Sequence, residues 1–158
     1  MSLGQGGEMS CNFNGCEKAV IRAESDEYPG IVTPRDLYDA LSDIWCAETC
    51  APRLREKWSI ENKTCGQCSI TAFLAQDIFG GKVYGIPLGD GNYHCYNVVG
   101  DCVFDLTSEQ FGESAKSFVY ENNPEQSRCE HFKKEEKRLR YEYLKDRLLT
   151  KCQKEHIK

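Results

Sequence analysis

Cys68, His94 and Asp105 are the residues of this chain whose types and order could do covalent chemistry. A thiol with an imidazole and a carboxylate arranged to serve it is the minimum apparatus for acyl transfer. A free thiol is mostly protonated at neutral pH, so Cys68 needs activation. Its position supplies one device. From Cys68 onward, Ile70, Phe73, Leu74 and Ile78 recur on one helical face, and Gly80-Gly81 supplies the stop. The sulfur therefore stands at a helix start, where unsatisfied N–H groups and a partial positive charge favour an anion.

The other two residues depend on strand register. Three strand-like segments, 82–88, 93–99 and 102–106, are separated by Gly89-Asp90-Gly91-Asn92 and by Gly100-Asp101. A two-residue turn at Gly100-Asp101 pairs Val99 with Cys102, which sets Tyr96 opposite Asp105 and His94 opposite Thr107. His94, Tyr96, Val103 and Asp105 then share one face. His94 and Asp105 become diagonal neighbours with Cβ atoms roughly 7–8 Å apart, near enough for the carboxylate to fix the ring's tautomer and favour its protonated form. A slip of one residue would destroy the arrangement.

The Cys68 backbone N–H is one donor for a developing oxyanion, and the amide of Asn62 or Gln67 could be a second, with Asn62 preferred. Gln67, Tyr93 and Tyr96 flank the trio and are expected to bind substrate, and the glycines of 89–92 suit a movable cleft rim. Each residue also has a plainer reading. A lone cysteine is usually a packed small hydrophobe, a lone histidine a satisfied core residue, and Asp105 could cap a turn. The conjunction of the three, with parity satisfied, favours catalysis.

The elements that must position them are few. With 158 residues, 40% of them hydrophobic and 28% charged, the chain suits one globular domain. A helix should begin with Thr33 as N-cap, Pro34 in the first turn and Asp36 facing the positive end. Leu37, Leu41, Ile44 and Trp45 follow as its buried face. A long charged helix is expected over 129–149 with Phe132, Leu139, Tyr143 and Leu148 inward. Residues 1–30 read as an irregular extension and 31–158 as a single α+β domain, helices packed on a short antiparallel sheet.

The net charge of −5 gives no field to recruit nucleic acid, and the Lys133–Arg138 run is interleaved with Glu135 and Glu136. No apolar run approaches the roughly 20 residues that span a bilayer, and the N-terminus has no signal-peptide pattern. The expected address is the cytoplasm, where the ten cysteines stay reduced and a disulfide framework is the less favoured account. No cofactor is required.

The order and placement of Cys68, His94 and Asp105 resemble the papain-like and transglutaminase-like cysteine hydrolases. More narrowly, Gly66-Gln67-Cys68-Ser69-Ile70-Thr71-Ala72, Gln76-Asp77, Gly80-Gly81, Tyr93-His94 and 104–111 (Phe-Asp-Leu-Thr-Ser-Glu-Gln-Phe) resemble the small bacterial YunG-like proteins. That likeness extends from Leu37 into the Arg140–Leu148 tail. The wider resemblance implies nucleophile Cys68, base His94 and orienting Asp105 acting on a peptide or small amide, with Asn62 matching by offset an oxyanion amide. The His is followed by Cys95-Tyr96 where transglutaminase-like enzymes commonly have Ala-Trp, and the large second lobe of papain-like proteases is lacking.

Two other classes compete. Cys65-x2-Cys68 with Cys46 and Cys50 could make a structural zinc site, or Cys65 and Cys68 a redox pair. Alternatively the fold is a non-catalytic interaction module, with Tyr141, Tyr143 and Leu144–Leu148 on the C-terminal helix forming a homodimer surface.

Overall fold

The computed structural model describes residues 12–156. Cys11 and the first part of the expected N-terminal extension lie outside the described residues. Helix α1, Pro34–Ser42, opens with a capping box in which Thr33 and Asp36 satisfy each other's backbone N–H groups. Leu37 and Leu41 are fully buried on its inner face. The chain then leaves the helix, so Ile44 and Trp45 reach the same core from beyond its end. Short 3-10 turns at Ala47–Thr49 and Pro52–Lys57 carry it to helix α2, Cys68–Phe79.

Helix α2 is the centre of the molecule. Ile70, Phe73, Leu74, Ala75 and Ile78 have no exposure, and Ser69, Thr71 and Ala72 are also buried. A helix apolar nearly all round must be covered on several sides. The sheet covers one, and the C-terminal helix covers another. Burial of each large apolar side chain contributes about 1.5–3 kcal/mol.

Three antiparallel strands follow in the order β1 (Lys82–Pro87), β2 (Tyr93–Val99) and β3 (Cys102–Phe104). Val99 pairs with Cys102 and Asn97 with Phe104, the register that the two-residue turn demands. Asp105 continues the line as an isolated bridge to Asn14. Alternation then separates two faces. Cys95 and Asn97 look toward α2, and the Asn97 amide donates to the Ala72 carbonyl at 2.9 Å. His94 and Tyr96 look away, under a cover of 3-10 turns over Ser108–Ser117 and the segment to Tyr120.

Three sequence expectations change. Residues 12–30 are mostly irregular, but they do not stand apart: Phe13, Cys16, Ala19 and Tyr28 are buried in the main core. Cys16 is disulfide-bonded, an exception to the all-thiol expectation. The single C-terminal helix is two, α3 (Arg128–His131) and α4 (Glu135–His156). Its inward stripe is Tyr141, Leu144, Leu148 and Cys152, whereas Leu139 and Tyr143 are exposed. The break at 132–134 resets the phase of the helix, so a stripe counted through it from Phe132 falls on the wrong side. Of the residues expected to form a homodimer surface, Tyr141, Leu144 and Leu148 are occupied by this chain's own core, and Tyr143 is exposed. Among the described residues no helix is long and apolar enough to cross a membrane.

The helix phase is testable by urea unfolding. Leu144→Ala should cost about 2–5 kcal/mol, as truncation in a packed core does. Leu139→Ala should stay within about 0.5 kcal/mol. Equal effects would place the stripe elsewhere.

Candidate active site

His94 and Asp105 are both fully buried, and His94 Nε2 lies 2.6 Å from Asp105 Oδ2. The same carboxylate oxygen accepts the Tyr120 hydroxyl at 2.6 Å, and Oδ1 accepts the Thr107 N–H at 3.2 Å. A buried carboxylate needs such donors to stay ionised. The ring is walled by Phe111, edge-on at 4.7 Å, and by Phe118, stacked at 5.4 Å. Burial in this apolar wall pulls His94 toward neutrality. The Asp105 charge and hydrogen bond, with help from the Cys68 sulfur, outweigh it and push the His94 pKa up to about 10. The imidazole is thus an imidazolium across the neutral range.

Cys68 meets this ring although the two come from different layers. It is the first residue of α2, half-buried at the end of the helix, with its sulfur 3.7 Å from the Tyr93 carbonyl oxygen. At that edge the helix no longer screens one sheet face from the other. Nε2 of His94 is taken by Asp105, and buried Nδ1, which has no hydrogen-bond partner among the described residues, is the nitrogen free to serve the sulfur. The Cys68 pKa is held well below the usual thiol value, first by a hydrogen bond from the Cys95 thiol and then by the His94 cation, against the opposing effect of burial. Cys95 is correspondingly held well above it, beside the charge it supports. Both shifts favour a thiolate beside an imidazolium.

Cys68 opens onto a cleft of about 830 Å³, also lined by Gly66, Ser69, Tyr93, Gln110 and Phe111. Leu88, Gly91 and Asn92 put the 89–92 turn on its rim. Of the expected substrate-binding residues, Tyr93 is 40% exposed and does line it. Gln67 and Tyr96 do not. Gln67 is fully buried and its amide turns back to donate to the Cys46 carbonyl at 3.1 Å. Tyr96 lies under Tyr120, its hydroxyl accepting from Asn123.

Asn62 is also displaced from its expected place. A bridge to Ser59 and a turn to Cys65 carry it into a different cavity, shared with Tyr38 and Glu109. The first-turn N–H groups of α2, which have no carbonyl partner within the helix, stand at the same helix end as the sulfur.

The cysteines of the zinc and redox readings divide. Cys65 neighbours Cys50, whose pKa burial and Cys65 push up to about 11, whereas Cys68 turns to Cys95 and His94. Among the described residues no group of three or more His, Cys, Asp or Glu side chains is arranged to hold a metal.

Sequence reasoning missed Tyr120, Gln110 and Cys95 as parts of the site. Tyr120 arrives through an irregular segment and Gln110 through 3-10 turns kinked at Gly112, neither with an extended period to read. Gln110 accepts the Gly66 N–H at 3.1 Å and donates to Thr107 at 3.1 Å, tying the approach to Cys68 to the loop after Asp105. Cys95 could have been found, since alternation next to His94 points it at the helix.

The pH dependence of Cys68 alkylation by iodoacetamide checks the ion pair. A lowered thiol pKa means that thiolate is present above it, so the rate should be flat from neutral pH upward and fall only on acidification. His94→Ala and Cys95→Ala should each move that fall to higher pH, by about one unit or more. A wild-type midpoint near the free-thiol value of about 8.5 would refute the pairing.

The comparisons with known proteins agree on one family. The family described as YunG protein matches residues 33–153, which include Cys68, His94, Asp105 and Tyr120. The chain is 46% identical over 55 residues to the Bacillus subtilis (strain 168) protein named "Uncharacterized protein YunG", covering 35% of this chain and 47% of that one. It thus spans about half the length of the curated relative it matches. No solved structure matches the chain. With the family match reaching across both layers of the fold, the chain belongs to the YunG family.

Proposed function

We infer that this protein is a cysteine-dependent acyl-transfer enzyme, a hydrolase or transferase at an amide, isopeptide or ester carbonyl, with a core of papain-like or transglutaminase-like kind. The observation that carries the reading is the buried His94–Asp105 pair set against a helix-start thiolate on a cleft. A merely structural histidine does not need its cation maintained beside a sulfur anion.

In the reaction, the Cys68 thiolate attacks the substrate carbonyl carbon, and the oxyanion forms against the first-turn N–H groups of α2. His94 gives its Nδ1 proton to the leaving group, and the C–N or C–O bond breaks to leave a thioester. A proton donor with a pKa of about 10 is matched to amine leaving groups, whose conjugate acids lie in the same range. This favours amides and isopeptides over donors whose leaving group needs no proton. Acylation removes the thiolate charge, which helps to raise the His94 pKa. The ring then becomes a better base for activating the water or amine that releases the acyl group. Asp105 holds the ring throughout, and Tyr120 and Thr107 hold Asp105. The reaction needs reduced thiols, consistent with the cytoplasmic address expected from the sequence.

Labelling with a peptide-like thiol electrophile tests the reading, alongside turnover of a fluorogenic amide panel. Cys68→Ala should abolish both. His94→Ala should lower acylation by about 10²–10⁴-fold. Tyr120→Phe should cost less, about tenfold, because Asp105 keeps its other partners. Asn62→Ala should leave the rate unchanged. Acylation should also fall above pH of about 10, as His94 loses its proton, while alkylation does not. Acylation that survives His94→Ala would sink the assignment.

A further inference from the structure

The cleft beside Cys68 carries an uneven balance of charge. Its acids are each engaged: Glu130 with Lys133 at 3.0 Å, Glu136 with Arg140 at 2.7 Å, and Glu125 with Lys82 at 3.8 Å. Lys134 and Lys137 line the same cleft and have no carboxylate partner among the described residues. Lys137 is the unusual one. It is half-buried, and its Nζ lies 2.7 Å from His131 Nδ1, a ring whose Nε2 meets Gln126 Oε1 at 2.8 Å. Gln126 can only accept at that oxygen, so Nε2 carries the ring proton and Nδ1 accepts from the ammonium. Burial, then Lys137 itself, hold His131 neutral, with a pKa down to about 4. The ammonium is therefore positioned by a neutral acceptor that adds no negative charge; burial lowers the Lys137 pKa, and the Cys95 and Cys68 sulfurs within electrostatic reach partly offset that.

A half-buried ammonium aimed by an uncharged ring is an arrangement for receiving an anion. We propose that Lys137, assisted by Lys134, is an anion subsite of the Cys68 cleft, and that the acyl substrate bears a carboxylate close to its scissile carbonyl. The inference rests on the acyl-transfer reading and names its substrate class. Either an α-carboxylate or an acidic side chain would supply the group. In this arrangement Lys137 fixes which end of the substrate faces the sulfur, and His131 and Gln126 position Lys137.

Two alkylating agents that differ in charge provide the test on the whole protein. The ratio of Cys68 alkylation by iodoacetate to that by iodoacetamide is measured and normalised to 2-mercaptoethanol. Taking the ratio cancels any change in thiolate population, and comparing wild type with Lys137→Gln, which keeps the His94 cation and the helix end, isolates the subsite. Wild type should exceed the reference by about tenfold or more, and Lys137→Gln should remove most of that preference. Lys137→Arg should keep it, which guards against simple misfolding, and Lys134→Gln should lower it less. N-acetylglycine and glutaric acid monoamide should each slow iodoacetamide alkylation in wild type but not in Lys137→Gln. The better protector identifies the source of the carboxylate. A preference unchanged by Lys137→Gln, with Cys68 still reacting fast, overturns the subsite and leaves the enzyme reading intact. Cys68 reacting no faster than exposed Cys129 overturns both.

Discussion

The charge-assisted hydrogen bond between His94 and Asp105 is the interaction on which the site depends. An imidazolium with no exposure is tolerated only because a carboxylate sits 2.6 Å away with its other lone pairs occupied by Tyr120 and Thr107. Remove the carboxylate and burial would strip the ring of its proton. The sulfur beside it would then lose one of the two groups that keep it anionic. The charge state of Cys68 is thus set one layer behind its sulfur.

That bond constrains the rest of the structure. It requires the β2–β3 register, which the Gly100-Asp101 turn enforces, and it requires the 108–120 segment to seal the ring from water. It also divides labour across the sheet. One face of β2 gives Cys95 and Asn97 to the helix, and the other gives His94 and Tyr96 to an aromatic box. Cys68 joins the two because it stands at the helix end. A nucleophile one turn further along α2 would face only the core.

The two thiols at this junction are a feature that the trio alone does not explain. Cys95 stays protonated and donates, so the Cys68 thiolate is supported from both faces of the strand, by a neutral thiol on one and a cation on the other. Lys137 adds a second positive charge from α4, the element that also covers α2. Elements from the middle and the end of the chain therefore converge on one sulfur, consistent with a family match that runs across both.

Local rules made much of this legible. Thr33 and Asp36 wrote the start of α1, Gly80-Gly81 the end of α2, and a two-residue turn the pairing of Val99 with Cys102, because capping, chain reversal and strand alternation act over a few residues. From these the facing of His94 and Asp105 follows by parity. The places of Asn62, Gln67 and Tyr96, the inward stripe of α4, and the roles of Tyr120 and Lys137 were decided by tertiary structure. Irregular segments have no period, a helix broken at 132–134 loses its phase, and the Gln67 side chain beside Cys68 turns inward to the Cys46 carbonyl, a partner 21 residues away in the chain. Amino-acid order determined which groups could carry charge and which strand faces they shared. Only the packing of distant segments determined which of those charges meet.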